Sequence, residues 1–259
     1  MKPRTLWRYA VLLIAGLYLL LPLIGVGEFS LRMRRGTYSF DAYAAVFANA
    51  RFQETFTYSI VLALITVLIG IALIVPAAVA VRLHAARLRG VVEFITLLPL
   101  VVPAIVIVFG YLRLYSSDSW LALTDTENGS DALLAFGYVT LALPYIYRAV
   151  DAGLAAIDVR TLTEAAESLG ARPSTILLRI VLPNIRSAVL SGAFLTVAIV
   201  LGEFTFASLL DRPAFGPFMQ LLGANRAYEP AALSLIAFAL TWALMAAIGL
   251  IGRRRSLPA

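Results

Sequence analysis

Six stretches of this sequence are apolar over the length needed to cross a lipid bilayer: about residues 9–26, 57–81, 91–114, 132–149, 188–210 and 231–251. Crossing roughly 30 Å of hydrocarbon at 1.5 Å per residue takes about 20 residues, and a helix satisfies its own backbone polar groups along the way. The overall composition agrees, with 61% hydrophobic residues and a mean hydropathy of +0.89. The expected fold is all-α: a polytopic membrane protein with six transmembrane helices, forming a single domain over residues 1–259.

Basic residues near span ends are retained on the cytoplasmic side and so set the orientation. With the N-terminus inside, the inner segments carry 14 of the 21 basic residues, among them Lys2, Arg82, Arg89, Arg148, Arg160, Arg179, Arg254 and Arg255. Arg32, Arg34 and Arg35 run against this bias, whereas Asp118, Asp125, Glu127 and Asp131 make the 116–131 loop read as external. Both termini are therefore expected in the cytoplasm. A pI near 9.8 does not indicate nucleic acid here, because the arginines are scattered at helix ends, at the depth of anionic lipid headgroups. Without cysteine the chain has no disulfide, thiolate metal site or cysteine nucleophile. The N-terminal basic-then-apolar pattern imitates a signal peptide, but the apolar run is long enough to be an uncleaved first span.

Between the fourth and fifth apolar stretches lies a polar interruption, residues 158–186, expected to face the cytoplasm. Thr161 and Glu164 fit a capping box that starts a short helix over residues 162–169. Gly170 suits the left-handed conformation that ends a helix, and Pro173 suits the first position of the next. That second helix, residues 173–182, places Ile176 and Ile180, with Leu177 and Val181 beside them, on an apolar face, and Pro183 is expected to break it. Ala165 and Ala166 are small enough for a partner surface to approach, and Glu164 and Glu167 offer two neighbouring carboxylates.

The order Glu164-Ala165-Ala166, three residues, Gly170, nine residues, then Ile180-x-Leu182-Pro183 resembles the EAA loop of permease subunits of binding-protein-dependent type I ABC importers. The six-span pattern extends that resemblance over the whole chain. It implies that residues 158–186 form a coupling loop that docks on a cytoplasmic ATPase. The partners it implies are two copies of an ABC ATPase subunit, a second permease, identical or homologous, and an extracytoplasmic solute-binding protein, in the inner membrane of a bacterial cell and among its lipids. The sequence contains no P-loop, and its only lysine is Lys2, so no cofactor is expected on this chain and ATP with Mg²⁺ belongs to the ATPase. The single histidine, His84, and the missing Gly-x-Ser-x-Gly elbow argue against an intramembrane enzyme, and the absence of two matching halves argues against a self-contained secondary transporter.

Prolines interrupt several spans: Pro76, Pro99, Pro103 and Pro144. Each removes a helix hydrogen bond and should kink or unwind its helix, which membranes tolerate beside protein or a water-filled path. Pro99 and Pro103 are thus placed beside a translocation path or serve a packing kink. Glu203 lies in the fifth apolar stretch with Thr205 and Ser208 nearby. An ionisable group in hydrocarbon costs at least about 2.5 kcal/mol, so it faces a cavity or a partner. This segment resembles permeases of the polyamine, ferric-iron and thiamine branch, which implies a polyamine or related cation, or else ferric iron, thiamine, phosphonate or another small solute. Glu203 then either attracts a cationic solute or holds an inter-subunit hydrogen bond.

Overall fold

A computed structural model describes residues 3–34 and 36–253; Lys2, Arg35, Arg254 and Arg255, used above in the charge balance, lie outside the described residues. The first half of the chain forms α1 (Pro3–Ser30), α2 (Asp41–Phe47), α3 (Ala50–Leu83), α4 (Arg89–Val101), α5 (Ala104–Leu114) and α6 (Glu127–Ala155). Next come α7 (Val159–Ser168), α8 (Pro173–Thr175), a π-helical segment (Ile176–Val181) and α9 (Leu182–Asn184). The chain continues as α10 (Arg186–Gly202), α11 (Thr205–Leu209), α12 (Phe215–Asn225) and α13 (Glu229–Arg253). No strand occurs among the described residues.

The part of α1 after Trp7, together with α3 and α6, is long and apolar enough to cross a membrane without a break. The third expected span is not one helix. Val102 is extended (φ −83°, ψ 119°), as a residue before proline prefers, and Pro103 starts α5. The segments on either side are bent by 100°. The expected fifth span is also interrupted, at Glu203 and Phe204 between α10 and α11, and α12 was not expected from the sequence. By contrast, α3 and α6 stay helical through Pro76 and Pro144, so of the expected kink or local unwinding the unwinding does not occur there.

The chain packs as two units, one joining the segment up to Gln53 with Phe218–Trp242, the other built on Glu54–Pro217. In the first unit, the end of α1 meets the chain around α13: the Phe29 and Tyr228 rings lie 4.9 Å apart, and Leu235 touches the Gly27 position at 4.0 Å. The Ser30 hydroxyl donates to the Gly27 carbonyl and shares a 2.7 Å hydrogen bond with Tyr43 on α2.

In the second unit, α6 is the central post. Leu134, Tyr138, Ala142, Ile146, Val150 and Leu154 along it are fully buried. Helix α10 lies against it at glycine distance. A Cβ at Gly153 would stand 2.5 Å from the Ala188 Cβ, and one at Gly192 would stand 3.2 Å from the Ile146 Cα. Membrane helices associate through such small residues, because lipid offers apolar side chains no hydrophobic drive to leave it. Buried hydroxyls here spend their donors locally: Thr66 donates to the Leu62 carbonyl and Thr196 to the Gly192 carbonyl, both at 2.8 Å. Two apolar clusters result, one around Tyr138 and Phe206, the other around Ile146, Val159 and Val181 beneath α7.

Candidate functional site

The polar interruption folds as an anchored knuckle. Asp158 caps α7, its carboxylate accepting from the Thr161 amide at 3.2 Å and from the Thr161 hydroxyl at 2.7 Å. The hydroxyl bond first, then the amide bond, hold the Asp158 carboxyl below the usual aspartate value. The expected capping box between Thr161 and Glu164 does not form: the threonine hydroxyl turns back to Asp158, and Glu164 reaches Arg160 at 3.2 Å. Asp158 was missed because Thr161 also suited a capping position; an acid three residues before a threonine was the available signal.

Helix α7 presents two faces. Val159, Thr163 and Ala166 are buried against the inner cluster, while Glu164, Ala165, Glu167 and Ser168 are exposed. Of the two alanines expected to admit a partner, only Ala165 faces outward; Ala166 is 6% exposed and belongs to the fold. At the end of α7, Gly170 has φ +77°, a conformation glycine adopts without Cβ strain, and open space surrounds it. Leu169, the last residue of the expected helix, is 88% exposed at that tip.

After Gly170 the chain returns through Pro173, the first residue of α8, to the π-helical segment. A strict α period would bury Ile176 together with Ile180. The wider π turn instead buries Ile176 (4% exposed) with Val181 (0%), and leaves Ile180 and Leu182 half-buried. Pro183 does not end the helix as expected. It sits in the first turn of α9, where its missing N–H costs least, and the turn comes after Asn184, with an 80° bend into α10. The Asn184 side-chain amide donates to the Ile180 carbonyl at 2.8 Å, satisfying one group freed at that bend.

The second candidate site is the break in the fifth span. Glu203 is 9% exposed, and its carboxylate accepts from the backbone amides of Thr205 (2.7 Å), Phe206 (3.0 Å to each oxygen) and Ala207 (3.4 Å). It therefore caps α11, and Thr205 and Ser208 belong to the same capped turn. A Cβ at Gly216 would stand 2.1 Å from the Glu203 carbonyl oxygen, so glycine lets the chain pass there. The Tyr138 hydroxyl is buried with no hydrogen-bond partner among the described residues. Pro103 stands at the other break, while Pro99 lies inside α4, which stays helical through it; α5, which begins after Pro103, packs on α11, and the Tyr111 and Phe206 rings meet edge to face at 5.8 Å.

Residues 70–256 match the family described as binding-protein-dependent transport system inner membrane component. The chain belongs to this family. It is a permease of the type I ABC importer class, and the matched region includes α7, Gly170 and the Glu203 break. Among curated relatives, a probable molybdenum ABC transporter permease protein of Haloferax volcanii is 31% identical over 205 residues, covering 78% of this chain and 73% of that one. The spermidine/putrescine transport system permease protein PotC of Haemophilus influenzae is 28% identical over 225 residues, covering 85% and 84%. A chain of a bacterial ABC transporter involved in import of the polysaccharide alginate superimposes with a TM-score of 0.73 at 18% identity, covering 98% of this permease and 97% of its own length. That likeness shows the permease fold, without information on the solute.

Proposed function

We propose that this permease forms half of the translocation path of an ATP-driven importer and pairs with a second permease, identical or homologous. Two ATPase subunits dock from the cytoplasm on the α7 knuckle, and an extracytoplasmic binding protein delivers the solute. ATP and Mg²⁺ sit on the ATPases, and this chain carries out no covalent chemistry. Its place is the inner membrane, crossed several times, with both termini in the cytoplasm. The observation that supports the docking reading best is the division of α7: one side anchored by Val159, Thr163 and Ala166, the other offering Glu164, Ala165, Glu167 and, at the tip, Leu169. An anchored knob turns movement of its partner into movement of the bundle. Closure of the ATPases would shift α7, and with it α6 and α10, whose glycine contacts make them one body. Alternating access then follows from two bundle states whose balance nucleotide shifts. Copurification tests the assembly: the tagged chain should bring an ABC ATPase with it, and recovery of the chain alone would count against docking.

For the solute, the first reading is a polyamine or related small cation, supported by likeness to the spermidine/putrescine permeases. A small oxyanion is the second reading, favoured by the molybdenum relative and by the Glu203 carboxylate being fully engaged with its own backbone. Uptake of radiolabelled spermidine against radiolabelled molybdate in vesicles containing the whole transporter separates them.

A further inference from the structure

The last two turns of α3 and the limb that returns from Gly170 enclose a groove of about 240 Å³ within the second unit. Its floor is apolar: Pro76, Val79, Ala80 and Leu83 line one side, Ile176 and Leu177 the other. Arg82, beside Leu83, pairs with Asp151 at 3.2 Å, and such a pair belongs at headgroup depth because a charge within hydrocarbon is costly. Pro76 stands earlier on the same membrane-crossing helix, so the floor reaches about 9 Å further into the hydrocarbon. The mouth is polar. His84, Thr163 and Glu167 line it. The Thr163 hydroxyl donates to the Val159 carbonyl at 2.7 Å, which leaves its oxygen able to accept. Glu167 is exposed and, unlike Glu164 with Arg160, has no arginine partner among the described residues.

An apolar floor at acyl depth under a polar mouth at headgroup depth has the profile of one lipid molecule. The volume suits part of a single acyl chain, whereas pockets for whole soluble ligands start at about 300 Å³. Any bilayer lipid can supply the chain, so the mouth selects the head. The Glu167 carboxylate repels an anionic headgroup, and it bonds best to a cation with N–H donors, which a primary ammonium has and a trimethylammonium lacks. Across the mouth, just past α3, the His84 imidazole can donate an N–H to a phosphate. We propose that this groove holds one phospholipid with an ethanolamine headgroup, its ammonium on Glu167, its phosphate on His84 and one acyl chain along Pro76–Leu83. The lipid fills the wedge between α3 and the returning limb, so the seating of the knuckle on α3 depends on it. This inference goes beyond the importer reading and does not require the ATPase to dock on α7.

The test uses the whole transporter complex, equilibrated with equal amounts of phosphatidylethanolamine, phosphatidylcholine and phosphatidylglycerol of the same acyl chains, with retained lipid counted by native mass spectrometry. Wild type should keep the ethanolamine lipid several-fold over each of the others. Glu167→Gln should bring the ethanolamine and choline lipids to about parity, the loss of one solvent-exposed charge-assisted contact. Ala80→Phe fills the floor from an exposed position on α3 and should lower retention of all three lipids. Equal retention of the three lipids by wild type, or wild-type retention of the ethanolamine lipid in Ala80→Phe, would overturn the proposal. So would a benzophenone attached through Ala80→Cys that crosslinks to the ATPase or the second permease instead of lipid, since protein would then cover the groove. Recovery of the ATPase in the same spectra reports separately on the docking reading, so the two can fail independently.

Discussion

Asp131 and Asp151 stand on one helix, α6, about 30 Å apart along its axis at 1.5 Å per residue, and each is held by arginine. Asp131 accepts from Arg212 and from the Tyr58 hydroxyl, both at 2.6 Å. Asp151 accepts from Arg82 at 3.2 Å and Arg89 at 2.9 Å. The separation equals the usual hydrocarbon thickness, so α6 carries an ion-paired acid near each boundary, and both acids are tied to α3, through Tyr58 and Arg82. These ties fasten α3 to the post against which α10 is packed. Asp151→Asn should loosen the end of α3 and the start of α4, which Arg82 and Arg89 tie to α6, and lower stability by about 1 kcal/mol, a modest figure because Arg89 is half exposed. Thermal unfolding in detergent checks this, and no loss in Arg82→Gln, Arg89→Gln and Asp151→Asn alike would show the cluster to be idle.

Glu164→Lys should leave insertion intact and abolish coupled uptake, because it reverses charge on the exposed face of α7 without touching the anchored one. Uptake by whole vesicles and chain abundance in the membrane are the paired measurements; wild-type uptake would remove Glu164 from the docking surface.

Glu203→Gln should destabilise the start of α11 by about 1–2 kcal/mol, since glutamine keeps only one acceptor oxygen where both carboxylate oxygens receive amides. A lower melting temperature with unchanged apparent affinity for spermidine is the expected pair. A large fall in affinity at unchanged melting temperature would return Glu203 to the solute path.

The cap on α7 has a pH dependence of definite sign. The folded Asp158 carboxyl titrates below its unfolded value, so its contribution is present above the unfolded pKa and fades as pH falls through the folded one. The protection of the Thr161 amide, the intrinsic exchange rate over the observed one at the same pH, should therefore be high at neutral pH and fall below about pH 4, a change that Asp158→Asn should flatten. An equally steep acid response in that variant would place the proton elsewhere.

Gly216→Ala should be costlier than most surface changes, by a few kcal/mol, because the added methyl meets a backbone oxygen that no rotamer change can move. Gly170→Ala, with open space around it but φ +77°, should cost only about 1 kcal/mol. Comparing the two melting temperatures tests whether crowding or conformation sets each glycine.

The sequence read well where one physical effect dominates. The long apolar runs at α1, α3 and α6 are legible because hydrocarbon demands length, and Gly170 and Pro173 mark helix ends because few other residues suit those backbone positions. Competing local effects hid the rest. Val102 before Pro103 pointed to a kink, yet nothing local specified 100°. Glu203 read as an intramembrane charge in search of a partner, when its partners are the amides of the next turn, invisible until the helix breaks. The burial of Val181 follows from a π turn that residue type does not announce, and Ala166 and Ala165 differ only in which side of α7 the anchor selects.

The tip of α7 is the point at which we propose that a nucleotide-driven partner grips the permease. The chain has no cysteine, so Leu169→Cys gives a single attachment point at the most exposed apolar side chain of that tip. Photo-crosslinking from this thiol in the purified complex, before and after ATP, should join the permease to the ATPase subunit in high yield and change with nucleotide. A thiol that reacts only with reagents added from outside the cell, or that never crosslinks to the ATPase, would show that α7 is not the docking surface.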